Sequence, residues 1–220
     1  MITVIDYGAG NLRSVENALK FMGASYQITS RRTEVAGATA ILLPGVGHFG
    51  QMMRSLQSLD MLPVLRQAIA AGVPYLGICL GMQALFERSE EASEYAGLGT
   101  FPGAIRRFPS GLKVPHMGWN RLEIAASSRL FAGINAAPFV YFAHSYYLPV
   151  EGVNGSNSLT AARCDYGRPF VAAIERENIF GVQFHPEKSG DTGLGVVANF
   201  ARLCGEKLAS TSNQGGQRAG

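Results

Sequence analysis

Apolar and polar positions along the chain fall into two textures. In the first half, short apolar runs alternate with stretches of helical period. Ile2 to Asp6 is a strand candidate closed by Gly8 and Gly10. Leu12, Val15, Leu19 and Met22 then recur on one helix face, with Gly23 as its C-terminal stop. Ala40 to Leu43 is a second strand, halted by Pro44-Gly45. Met52 through Ala71 reads as helix, with a break or restart marked by Asp60 and Pro63, and Gly72 ends it. Tyr75 to Ile78 is a third strand and Leu80 to Arg88 a further helix. Strands alternating with helices predict βαβ units, and so an α/β fold with an open, mostly parallel sheet flanked by helices.

The second half differs. Residues 104–124 and 138–184 are rich in Val, Ile, Tyr and Phe and broken by Gly, Pro and Asn. Turn signals at Asn154-Gly155 and Tyr166-Gly167 predict hairpins, and therefore antiparallel strands added to the parallel sheet. A last helix, from about Thr192 to Leu208, presents Leu194, Val197 and Phe200 on one face. We expect one domain over 1–208 and a disordered small, polar tail over 209–220.

Composition changes this picture in two ways. Charged residues are 16 % of the 220 and Gly is 27 of them, against averages of about 25 % and about 7 %. The chain is therefore rich in tight turns and poor in charged surface, which predicts a face covered by a partner. Intrinsic disorder is excluded, because that needs low hydrophobicity and high charge. A net charge of +3, with Arg31-Arg32 and Arg106-Arg107 as isolated pairs, gives no basic stripe and argues against nucleic-acid binding. Three Cys without a CxxC suggest neither a disulfide framework nor a Cys-based metal site, and no metal or other cofactor is expected. The N-terminus lacks a secretory pattern and no apolar run approaches a membrane span, so a cytoplasmic protein is expected.

Three segments carry candidate chemistry. In LGICLGMQ (76–83) an apolar strand runs into Cys79 and a helix follows at once, with Gly77 and Gly81 flanking the Cys. This is the nucleophile-elbow pattern with Cys in place of Ser. The turn sets the thiol at a helix start, where the dipole favours thiolate, and frees the Leu80 N–H for an oxyanion. A lone Cys is ordinarily a small buried hydrophobe, and only the strand–GxCxG–helix context overturns that. In FGVQFHPEKS (180–189), His185 ends a strand and Glu187 stands two residues on, where an extended chain points both the same way. A carboxylate there would orient the imidazole, giving a Cys79–His185–Glu187 triad. In LLPGVGHFG (42–50), the Gly45-Val46-Gly47 loop could supply a second oxyanion donor. DYGAGN (6–11) hints at a dinucleotide site, but Arg13 stands where the fingerprint needs Gly. His48, His116, His144, Cys164 and Cys204 show no ligand spacing or elbow and read as structural or interface residues.

Together, GICLGMQ and the later HPE resemble the class I (triad) glutamine amidotransferases, whose fold is flavodoxin-like. PGVG (44–47), PHMGWN (115–120), HPEKS, DYGAGN, GLG (97–99) and FAHSYY (142–147) are similar, within that family, to the glutaminase subunits of imidazole glycerol phosphate synthase. The resemblance covers roughly residues 2–205. It implies that Cys79 attacks the side-chain amide of glutamine, that His185 shuttles protons, and that Glu187 orients it. It further implies that Gln83, Glu91, Ser145 and Tyr146 bind the substrate's amino-acid end. The implied partner is a (β/α)8-barrel cyclase subunit in a heterodimer, with Asn11, Met117, Trp119, Asn120 and Lys188 on or near the docking face. Ammonia would pass into that barrel without meeting water, yielding imidazole glycerol phosphate and 5-aminoimidazole-4-carboxamide ribonucleotide. Other partners known in the family (anthranilate, aminodeoxychorismate and pyridoxal phosphate synthesis) are disfavoured by PHMGWN. A redox protein is disfavoured by HPE, since a redox Cys needs no His–Glu pair.

Overall fold

The computed structural model describes residues 1–8, 11–152 and 159–208. Along the chain run β1 (Ile2–Ile5), α1 (Leu12–Phe21), β2 (Tyr26–Thr29), α2 (Arg32–Ala36), β3 (Ile41–Leu43), α3 (Phe49–Ser58), α4 (Met61–Ala70), β4 (Tyr75–Ile78), α5 (Leu80–Gln83) and β5 (Phe86–Ser89). They are followed by β6 (Phe101–Arg107), β7 (His116–Arg121), β8 (Glu123–Ile124), β9 (Phe139–His144), β10 (Tyr146–Pro149), β11 (Thr160–Asp165), β12 (Pro169–Arg176), β13 (Ile179–Val182) and α6 (Gly190–Leu203).

The large sheet has the order β2-β1-β3-β4-β13-β12-β10-β6-β5, with β11 and β8 attached beside β12. From β2 to β13 the pairings are parallel. From β13 through β12 and β10 to β6 they are antiparallel, so the added antiparallel strands are present. A separate two-stranded ribbon pairs β7 with β9. β1, β3, β4 and β13 are buried along their whole length, as parallel strands covered on both faces must be. Their side chains alternate between two cores. Leu42, Leu76, Ile78 and Phe180 join Val15, Leu19, Val197 and Phe200 on the α1–α6 side. Ile41, Leu43, Tyr75 and Ile179 join Met52, Leu56 and Leu65 on the α3–α4 side.

The structure departs from the sequence expectations in three places. β2 and α2 were not foreseen: β2 is an edge strand (YQIT) without an apolar run, and α2 has only five residues. The helix expected over 80–88 is a single turn. The Ala84 and Leu85 carbonyls accept from Leu98 and Phe101 N–H instead of continuing it, and Phe86–Ser89 forms a strand along β6. The break expected within Met52–Ala71 is present: Asp60, with φ of 53°, parts α3 from α4, and Pro63 sits in the first turn of α4. The last helix ends at Leu203, before the expected Leu208. Gly205 (φ 79°) and the bond from Glu206 N–H to the Ala201 carbonyl close it in a Schellman motif. The Tyr166-Gly167 turn joins β11 to β12 as expected, whereas Asn154-Gly155 and the 209–220 tail lie outside the described residues.

Candidate active site

β3, β4 and β13 are adjacent and parallel, so the segments that follow them meet at one edge of the sheet: the PGVG loop, the Cys79 turn and the His185 segment. Carboxyl ends of parallel strands are where open α/β sheets place their sites. Cys79 has φ 53° and ψ −108°, a left-handed conformation costly for a side chain with a Cβ. Packing enforces it. A Cβ on Gly77 would run into the Gly81 carbonyl, and one on Gly81 into that of Leu43, so neither position accepts a side chain. The Cys79 N–H is meanwhile held by the Val182 carbonyl at 2.8 Å. The helix expected to favour thiolate is only one turn long. A different group faces the sulfur, Gln183, whose Nε2 donates to Cys79 Sγ at 3.5 Å.

His185 is anchored at both ends. Its N–H donates to the Tyr141 carbonyl at 2.9 Å, and its carbonyl accepts from Ser189 Oγ at 2.7 Å. The link to Glu187 is a 3₁₀ turn over Pro186–Lys188 rather than the extended chain expected, yet Nδ1 still reaches Glu187 Oε1 at 2.9 Å. Both side chains are almost wholly buried. Burial alone would push the imidazole down. Hydrogen bonds and attraction from Cys79 and Glu187 outweigh it and push the ring up to about 10. With Nδ1 committed to Glu187, the other ring nitrogen is left for the sulfur.

A cavity of about 260 Å³ opens over these groups. Its walls include Cys79 and Leu80, Val46 and Gly47, Gln83 and Glu91, Ser145 and Tyr146, and His185, with Met117 and Lys188 at the wall. The structure thus brings together the triad, the loop and the four expected substrate residues. Gly45 is buried beneath Leu80, and its carbonyl accepts from Leu80 N–H at 3.4 Å, so that expected oxyanion donor is turned toward the loop. Glu91 accepts from Phe49 N–H at 2.7 Å, tying the substrate wall to the start of α3. Gln83 Nε2 donates to the Tyr146 carbonyl at 3.0 Å and to Gln183 Oε1 at 2.9 Å. Its own Oε1 is buried without a partner, a free acceptor beside the cavity.

Of the expected docking residues, Met117 and Trp119 are 64 % and 57 % exposed, so Trp119 is not core. They share one face of the β7–β9 ribbon with Tyr141 and the exposed Phe139, and Lys188 Nζ lies 5.7 Å over the Tyr141 ring. Asn11 precedes α1 and is half-buried, away from the cavity wall. Asn120 turns inward, donating to the Asp165 carbonyl at 2.8 Å and lying 3.3 Å from His116 Nε2.

Sequence reasoning missed several groups. Gln183 stands two residues before His185 at the end of the same strand, and that spacing was its one signal. Tyr7 of DYGAGN is buried beside Val46 and Cys79, and burial pushes its phenol up to about 12. His116 and His144 are paired directly across the ribbon, with Nδ1 of His116 at 3.1 Å from Nε2 of His144. Nδ1 of His144 meets the Tyr146 carbonyl at 2.8 Å. Burial pushes these two rings down, to about 4 and about 3. Among the described residues no group of three His, Cys, Asp or Glu is placed to hold a metal ion, and no helix is long and apolar enough to cross a membrane.

Comparison with known proteins agrees with this geometry. The sequence model of the family described as Glutamine amidotransferase class-I matches residues 3–203. A Bacillus cereus (strain B4264) protein described as "Imidazole glycerol phosphate synthase subunit HisH" is 46 % identical over 202 residues, covering 91 % of this chain and 93 % of the relative. A Desulfitobacterium hafniense (strain Y51) protein of the same description is 44 % identical over 214 residues, 97 % of this chain and 100 % of the relative. A crystal structure described as a glutamine amidotransferase has a TM-score of 0.73 at 18 % identity, covering 93 % of this chain and 100 % of that one, which establishes the shared fold.

Proposed function

The chain belongs to the class-I glutamine amidotransferase family, and from that premise we propose that Cys79, His185 and Glu187 carry its chemistry. It is an enzyme, the glutaminase subunit of an imidazole glycerol phosphate synthase, and serves histidine biosynthesis. The single observation that carries the mechanism is the His185–Glu187 contact of 2.9 Å in the same cavity wall as Cys79.

The Cys79 thiolate adds to the side-chain amide carbon of glutamine, and the carbonyl electron pair moves to oxygen. His185, as imidazolium, protonates the departing nitrogen, and ammonia leaves as the C–N bond breaks, giving a γ-glutamyl thioester. The same ring then takes a proton from water as it attacks the thioester; glutamate departs and Cys79 is restored. Glu187 keeps Nδ1 protonated through both halves, so that the nitrogen facing the sulfur does the proton transfer. The oxyanion takes Leu80 N–H once the Gly45 carbonyl turns away, with a second donor from the Val46–Gly47 backbone. The free Oε1 of Gln83 accepts from the substrate, Glu91 takes its α-ammonium, and backbone at Ser145 and Tyr146 completes the grip.

The partner subunit docks on the exposed ribbon face carrying Met117 and Trp119, with Lys188, Asn11 and Asn120 beside it. We assign it a (β/α)8-barrel cyclase that consumes the ammonia. This face joins the mouth of the Cys79 cavity, so the ammonia need not enter bulk water. Three free cysteines suit a reducing cytoplasm. We expect residues 1–208 to act as one domain. The test is glutamate release by the chain assembled with its partner. Cys79→Ala is expected to lower it by about 10⁴-fold or more. A variant that kept even a tenth of the activity would overturn the mechanism.

A further inference from the structure

The hydrogen bonds around the cavity form a chain whose two histidines the catalytic cycle does not use. At the docking side, Asn120 Nδ2 lies 3.3 Å from His116 Nε2. His116 Nδ1 lies 3.1 Å from His144 Nε2, and His144 Nδ1 2.8 Å from the Tyr146 carbonyl. That carbonyl also accepts from Gln83 Nε2, which in turn donates to Gln183 Oε1, and Gln183 Nε2 reaches the Cys79 sulfur.

Only one assignment of protons satisfies every link. The Tyr146 carbonyl can only accept, so His144 carries its proton on Nδ1 and offers a bare Nε2. His116 must then donate from Nδ1 and accept from Asn120 at Nε2. The amide ends of Gln83 and Gln183 are oriented by the same logic: the Tyr146 carbonyl requires a donor from Gln83, whose Nε2 also meets Gln183 Oε1, which turns Gln183 Nε2 toward the sulfur. Both rings are buried, both neutral, and both locked as the Nδ1–H tautomer.

Resting on the glutaminase reading above, we propose that His116 and His144 are positioning residues, the middle of a hydrogen-bond chain that holds the Tyr146 carbonyl and Gln83 in the geometry that receives glutamine. His144 does this at first hand. His116 acts through it, by fixing which nitrogen carries the proton. His116 also stacks on Phe142 (4.7 Å between centroids) and Tyr166 (4.0 Å). A purely structural role would therefore rest on its ring, and the proposed role rests on its Nδ1–H.

The two roles separate by substitution in the chain assembled with its partner. His116→Phe keeps the stacking and removes the donor. His116→Asn loses the ring and keeps an N–H donor near Nδ1. The expected result is a glutamine KM about tenfold higher in His116→Phe with kcat changed by less than about threefold, the loss of one buried hydrogen bond. His116→Asn should return KM to within about threefold of the original. The reverse order, with phenylalanine tolerated and asparagine impaired, would overturn the proposal, and so would a loss confined to kcat. If His116→Phe does not fold, ring-nitrogen NMR of the unsubstituted protein decides. Both histidines should be neutral with the proton on Nδ1, and an Nε2–H tautomer at either ring sinks the chain. An unsubstituted assembly that releases no glutamate defeats the glutaminase reading instead, and the NMR result still judges the hydrogen-bond chain.

Discussion

His185 and the His116–His144 pair are buried to the same degree, with 3 %, 3 % and 5 % of their surfaces exposed. His185 and His144 line the same cavity and His116 is bonded to His144, yet the pair and His185 ionise in opposite directions. Burial opposes charge at all three rings. At His185 the neighbours are the Glu187 carboxylate and the Cys79 sulfur, which more than offset the lost hydration and raise the ring to about 10. At His116 and His144 the hydrogen-bond partners are an amide, a carbonyl and each other. The Tyr146 carbonyl offsets only part of the burial at His144 and nothing offsets it at His116, so the rings fall to about 4 at His116 and about 3 at His144. Partner charge, rather than depth, decides whether a buried histidine is a proton carrier or a fixed neutral donor.

The strongest way to break this contrast is to take away the partner charge. Glu187→Gln should lower kcat by about 10³–10⁴-fold in steady-state glutamate release, because the imidazole loses both its tautomer and its support. The His185 titration, followed by NMR, should drop toward its ordinary value. An activity within tenfold of the original would show that Glu187 does not support the ring.

The next effect is on stability against pH. His116 and His144 are harder to protonate folded than unfolded. Their contribution is therefore complete above about pH 6.5 and is lost as pH falls from there toward about 4 and then about 3. His185 is easier to protonate folded. Its contribution is present below about pH 6.5 and is lost as pH rises toward about 10. Each limb should amount to a few kcal/mol, at about 1.4 kcal/mol for every tenfold difference in proton affinity between the folded and unfolded chain. Urea midpoints across this range should trace a fall on both sides. His116→Phe should flatten the acid limb and Glu187→Gln the alkaline one. An acid limb unchanged by His116→Phe would contradict the assignment.

The smallest effect sharpens the comparison by reversal. Asn120→Asp sets a carboxylate beside His116 Nε2 and so gives the second site the partner charge of the first. The pH at which His116 titrates should rise by about 1–3. A titration that stays near 4 would mean that burial alone governs this ring.

What the sequence disclosed follows the reach of each interaction. The parallel strands, the elbow and the triad were legible because each is written locally: a continuous apolar run, a Gly at minus two and plus two, a His and a Glu two apart. β2 escaped because its alternation is only four residues long and runs against burial, with Ile28 exposed and Thr29 buried, and α2 because five residues with Val35 alone buried show no helical period. The one-turn α5 escaped because what stops it, the Leu98 and Phe101 N–H groups, comes from residues well beyond it. The His116–His144 pair and the Gln83–Gln183 bond were invisible for the same reason. Each joins residues far apart in the chain, and residues 116 and 144 become partners only once β7 and β9 align. Gly45 was foreseen as part of an oxyanion loop; that its carbonyl engages Leu80 N–H depends on backbone rotation, which residue identity does not encode.

The ribbon face has a consequence for how many copies a cell can safely hold. Three of the seven exposed large hydrophobic residues among those described, Met117, Trp119 and Phe139, stand together on it. Uncovered, such a patch favours self-association. If the partner subunit docks on this face as proposed, a copy made without it leaves the patch open to self-association. On that reading, the ratio in which the two subunits are synthesised would itself be a property on which selection can act.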